Sequence, residues 1–116
     1  MIFPDKWAAS WIEAWNRRDL DDLIGLYGDG IHLRSPFAKV YAEDGVIKGK
    51  EALRSYWGEV MRRIPELKLE LVAVYTGHLA LSFHYRDNNG RNCLETILFD
   101  ERDKAIFETA CLDRLR

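Results

Sequence analysis

Hydrophobic positions change their period part-way along the chain, and that change divides it into a helical half and a sheet half. Trp7, Ala8, Trp11, Ile12 and Trp15 recur at helical spacing, predicting an amphipathic helix from about Pro4. Asn16-Arg17-Arg18 interrupts it. Asp19 can cap a second helix whose apolar stripe is Leu20, Leu23, Ile24 and Tyr27, ended by Gly28 and Gly30. Ile31 to Ser35 alternates as a short strand stopped by Pro36, and Phe37 to Asp44 reads as a loop. A brief strand at Gly45–Lys48 leads to Gly49 and a third helix. Leu53, Tyr56, Trp57, Val60, Met61 and Ile64 share one face of that helix, and Pro65 closes it.

After Pro65 the period becomes two. Leu67, Leu69, Leu71 and Ala73 alternate with Lys68, Glu70 and Val72, Thr76-Gly77 turns the chain, and Leu79, Leu81, Phe83 and Tyr85 define the next strand. Asp87-Asn88-Asn89-Gly90 is a hairpin signal, Asn92 to Phe99 a strand, and Glu101–Lys104 a polar turn before a last strand from Ala105 to about Asp113. Three helices followed by an antiparallel meander predict one α+β domain over residues 1–116, with helices on one face of a curved, mainly antiparallel sheet. Such a sheet with helices across its mouth makes a cone-shaped cavity.

Composition adds exclusions. A formal net charge of −2 gives no electrostatic reason to expect nucleic acid, and no apolar run reaches membrane-spanning length. The start lacks a basic region followed by an apolar core, and two cysteines make no disulfide framework, so a cytoplasmic protein is expected. Cys93 and Cys111 alternate onto opposite faces and read as buried small hydrophobes. Without a phosphate-binding glycine loop or a metal-ligand cluster, neither cofactor nor metal is implied.

Candidate chemistry sits on the last two strands. Glu95 interrupts an apolar stretch and should share a face with Cys93, Ile97 and Phe99. An acid on such a surface needs a partner, a raised pKa or a catalytic role. Ile106, Glu108, Ala110 and Leu112 form one face of the final strand, so Glu108 comes opposite or diagonal to Glu95. Two enclosed carboxyls cannot both ionise cheaply, and together they could supply a proton donor and an acceptor; the alternative is a wet or arginine-neutralised sheet end. A two-residue Asn89-Gly90 turn would set His84 opposite Glu95, whereas a longer Asp87–Gly90 turn is equally available. His32 and His78 fall at a strand start and a turn. Arg34 could reach the mouth and hold an anionic group, or simply be solvated.

Four stretches carry a resemblance in order: Ala14–Asp21 at the first corner, Leu26–Ile31 leading to Ser35-Pro36, Gly49–Leu53 opening the third helix, and the closing meander. The chain thereby resembles the nuclear transport factor 2-like superfamily, in its SnoaL-like and ketosteroid-isomerase-like branches. The resemblance implies a cystatin-like roll, a homodimer through the exposed sheet face, and a cone holding a small apolar organic ligand. It places Leu81, Phe83 and Tyr85 in the cavity and His84 on the other face. It aligns Glu95 with the isomerases' neutral carboxylic acid, a case in which burial keeps the proton on. The isomerase base falls at Ser35 and the oxyanion-hole tyrosine at Trp11, so steroid isomerisation by the family mechanism is not expected. Glu95 and Glu108 are therefore the expected acid–base pair of an isomerase, cyclase, dehydratase or epoxide-hydrolase type. Trp11, Trp15, Ser35, Tyr56, Phe83 and Tyr85 are the expected ligand contacts. A noncatalytic ligand-binding or dimerisation module is the competing expectation.

Overall fold

The computed structural model describes residues 1–115. Its elements run α1 (Pro4–Arg17), α2 (Leu20–Ile24), β1 (Tyr27–Arg34), a 3-10 turn (Pro36–Val40), β2 (Val46–Lys48) and α3 (Lys50–Arg63). Four strands follow: β3 (Leu69–Gly77), β4 (Ala80–Asp87), β5 (Asn92–Phe99) and β6 (Ala105–Leu112). They form one curved sheet ordered β2-β1-β6-β5-β4-β3, in which only β1 and β6 run parallel. The expected α+β cone is present, with a mixed sheet of six strands. Among the described residues no helix is long and apolar enough to cross a membrane.

α1 ends as its sequence suggests, with Arg18 in the left-handed region at φ 61°. Asn16 is the clamp that holds α1 to the sheet. Its amide donates to the Leu69 carbonyl at 2.9 Å and accepts from the Leu69 N–H at 2.8 Å, satisfying both backbone groups at the start of β3. Asp19 caps α2 by accepting from the Asp22 N–H at 3.0 Å. α2 is shorter than its apolar stripe suggests. Tyr27 leaves it to open β1, which therefore begins four residues before Ile31.

Four other features differ from the sequence reading, each for a local reason. Phe37 lies in a 3-10 turn where a loop is expected, because the Ser35 hydroxyl accepts from its N–H at 3.3 Å and starts the turn. On β3 a bulge between Leu71 and Ala73 turns Val72 outward and moves the inward phase from Ala73 to Val74. The β3–β4 turn falls at His78-Leu79, with Gly77 paired to Ala80, so Leu79 is an exposed turn residue instead of a strand residue. A second bulge, where Leu98 faces Phe107 and Phe99 faces Ala105, leaves Ile106 exposed and separates it from Glu108's face.

The closed end of the cone is aromatic. Trp7 meets Phe99 edge-on at 5.3 Å and Tyr27 at 6.1 Å, and Phe83 packs against Trp11 at 5.0 Å. Trp11, Trp15 and Trp57 stack together one layer toward the mouth, at 5.6–6.3 Å.

Candidate functional site

Strand periodicity lays the inner face of β5 out from the closed end to the mouth as Phe99, Ile97, Glu95 and Cys93, all buried. The facing β4 row is Leu81, Phe83, Tyr85 and Asp87, also buried. Phe83 pairs with Glu95, so the longer hairpin register holds and His84 lies on the outer face, its Nε2 2.8 Å from the Asn92 Oδ1. The turn has three residues: the Asp87 N–H reaches the Arg91 carbonyl at 3.0 Å, and Gly90 takes φ 80°. Glu108 pairs with Ile97 and so stands diagonal to Glu95.

A cavity of about 410 Å³ opens between this face and the helices, a volume typical of a small-molecule site. Of the expected contacts, Trp11, Trp15, Ser35, Tyr56 and Tyr85 line it, and so do Glu95 and Glu108. Phe83 does not. It is fully buried beneath Trp11 and belongs to the core, because the cavity stops one layer above it. Arg34 is outside as well: it is exposed and sits 5.5 Å over the Phe107 ring on the other face of the sheet. Cys111 is exposed, contrary to its reading as a buried hydrophobe, whereas Cys93 is buried with its thiol pushed up to about 11 by desolvation.

The two carboxyls are the polar centre of an apolar wall. Glu95 is 4% exposed and Glu108 1%, and the carboxyl groups are within hydrogen-bond reach of each other. The donors around them fix the direction of the network. An indole N–H can only donate, and Trp11 Nε1 gives its proton to the Tyr27 hydroxyl at 2.8 Å. Tyr27 must then spend its own proton on Glu108 Oε1. On the other side the Tyr85 hydroxyl donates to Glu95 Oε2 at 2.8 Å. Glu95 Oε1 is buried and no hydrogen bond satisfies it.

Burial raises both carboxyls above 4.5, and Glu108 the further, because the nearby Glu95 charge also works against its ionisation. Enclosed together, the two carboxyls cannot both ionise cheaply, so one is held protonated over the range in which the other ionises. Tyr27 and Tyr85 are driven well above 10.0, by burial first and then by the adjacent carboxyls, so both are donors at neutral pH. Tyr56, pushed up to about 12 by burial, is a donor too.

The sequence reading missed Tyr27, which it spent on the α2 stripe, and counted Trp11 as a ligand contact standing where the isomerases have a tyrosine. In the structure Trp11 supports a tyrosine supplied from β1. It also missed the mouth: Phe37, Val40 and Tyr41 from the 3-10 segment, and Asp87 and Arg91 from the hairpin. For the hairpin pair the signal was available, since Asp87 is in phase with Tyr85, and Arg91 with Cys93 and Glu95. Among the described residues no group of three or more His, Cys, Asp or Glu side chains is placed to hold a metal ion.

Comparison with known proteins agrees with this architecture. Residues 8–94 match the SnoaL-like domain family. The chain belongs to that family. A SnoaL-like protein of unknown function from Burkholderia thailandensis is 32% identical, with a TM-score of 0.89 over 96% of this chain and 95% of that one. A protein with a cystatin-like fold from Methylobium petroleophilum gives a TM-score of 0.77 at 12% identity, over 97% and 76% of the two chains. A SnoaL-like family member from Agrobacterium tumefaciens, provisionally assigned as an isomerase, gives 0.76 at 15% identity, over 94% and 96%. No curated protein sequence matches the chain.

Proposed function

We propose that this SnoaL-like domain binds a small apolar ligand in its cone and performs acid–base chemistry on it through Glu95 and Glu108. The observation carrying this reading is the pair itself: two buried carboxyls in the wall of a largely apolar cavity, each with a tyrosine donor. Glu95 is the proton acceptor. Glu108 donates a hydrogen bond to it, keeping its own proton while Glu95 takes the ligand's, and the Tyr85 hydroxyl is placed to follow charge that moves between ligand oxygen and Glu95. Removing a proton beside a carbonyl and returning it elsewhere needs these elements and no external redox partner.

Hydrogen–deuterium exchange at the α-carbon of 2-tetralone, a bicyclic ketone of suitable size, tests the reading by proton NMR. The protein should accelerate exchange over buffer, and Glu95→Gln should remove about 10²–10⁴-fold of that acceleration. Exchange no faster with the protein than with Glu95→Gln would leave the noncatalytic binding module standing. That second reading is supported by Ser35 at the isomerase-base position, where its hydroxyl caps the 3-10 turn instead of serving as a base.

The same proposal includes a homodimer through the outer sheet face. Leu94 and Leu98 are about two-fifths exposed there, and Tyr75 on β3 more so. Sedimentation equilibrium should give twice the 13.5 kDa chain mass, and a single-chain mass at micromolar concentration would reject it.

A further inference from the structure

Arg91 is a cation built into the mouth of a largely apolar cavity. Its position follows from the hairpin: it is the residue after the left-handed Gly90, in phase with Cys93 and Glu95, so its side chain returns over the mouth. The guanidinium carbon lies 4.8 Å over the Phe37 ring, and the side chain is only 19% exposed. Asp87 sits beside it, but at 3.6 Å from Arg91 Nη1 the contact is an ion pair without a hydrogen bond. Asp87 Oδ1 accepts the Asn89 and Arg91 backbone N–H groups at 2.9 and 3.0 Å, which pins the carboxylate to the turn and leaves Oδ2 as the oxygen facing Arg91. Arg91 Nε is buried with no acceptor, and no described residue accepts a hydrogen bond from the guanidinium. A planar fork held by stacking, with its donors unspent, is suited to an oxyanion.

The other cation of the wall is differently used. Arg63 gives its Nε to Glu59 at 3.1 Å and is more than half exposed. Four residues of strand separate Arg91 from Glu95, about 13 Å between Cα positions, enough for one or two fused rings between the two side chains.

We propose that Arg91 recognises an anionic group, and that the ligand class is apolar carboxylic acids. The carboxylate lies on Arg91 at the mouth, the rings lie between Trp15 and Tyr56, and the far end faces Tyr85 and Glu95. This rests on the reading of the cone as a ligand pocket and names its ligand class.

The test is calorimetric titration of 2-naphthoate and of its uncharged methyl ester into wild type and Arg91→Gln, with Trp15 and Trp57 indole N–H shifts locating the ligand. Wild type should favour the acid over the ester. Arg91→Gln should weaken the acid about tenfold and leave the ester within a factor of two, which also shows that the variant is folded. Equal loss of both ligands, or no loss of either, overturns the anion assignment while the pocket stands. Binding of neither ligand by wild type overturns the pocket reading, and this proposal with it.

Discussion

Glu108→Gln should make the protein more stable than wild type at pH 8 and flatten the dependence of its stability on pH. The sign follows from burial. Glu108 and Glu95 hold their protons in the folded state above 4.5, the value expected when the chain unfolds. The native state therefore binds more protons than the unfolded state over that interval, and stability falls as pH rises through it. The contribution is fully present below 4.5 and is lost by the time pH passes the folded values, at about 1.4 kcal/mol for each unit of separation. Glutamine cannot ionise, so the part due to Glu108 disappears, while its amide still offers Tyr27 an acceptor and Glu95 a donor.

Urea unfolding at pH 5, 6, 7 and 8 checks this. Wild-type stability should decline across the series and the glutamine variant should decline less. A wild-type profile that rises from pH 5 to 8 would contradict it. Glu108→Ala separates charge from hydrogen bonding, because it strands the buried Tyr27 hydroxyl and should be about 1–3 kcal/mol less stable than Glu108→Gln at every pH.

Phe83→Ala should be the most damaging single truncation of those considered, costing about 3–5 kcal/mol. Phe83 is fully buried, with Trp11 at 5.0 Å, Tyr85 at 5.8 Å and Trp7 at 6.3 Å around it. Rigid rings on three sides cannot collapse into the space left behind, so the lost contacts are not recovered. Against a typical total of about 5–15 kcal/mol for a domain, the variant would be marginal. The urea midpoint should fall with the slope unchanged. A loss below about 1 kcal/mol would mean that the site repacks, and that Phe83 borders the cavity after all. Phe83→Leu, which keeps most of the volume, should lose less stability and bind 2-tetralone as wild type does.

Phe83 also shows where sequence reading stops. Alternation set it in phase with Tyr85, and the family resemblance turned that row inward; the structure pairs Phe83 with Glu95 on the inner face. Parity says which face a side chain takes, but not how deep the cavity runs, which depends on how the four tryptophans fill the cone. The same parity made the Glu95–Glu108 pair legible, because an acid in each apolar row must meet the other across adjacent strands. It failed at Ile106 and Ala73, where bulges shift the phase by one residue without a composition signal. Tyr27 was missed because five residues of α2 and the first residue of β1 can share one helical stripe on paper. Arg91 was missed for a different reason. The turn signal around Asn89-Gly90 drew attention to the backbone, although the period of two already aimed the Arg91 side chain inward.

The account depends most directly on the protonation of the two glutamates. Carbon-13 NMR titration of the Glu95 and Glu108 side-chain carboxyls, assigned with the two glutamine variants, measures it. The account predicts that both titrate above 4.5 in two separated steps, Glu95 before Glu108, and that Glu108→Gln returns Glu95 to a single step. Two independent titrations at ordinary carboxylate values would contradict it.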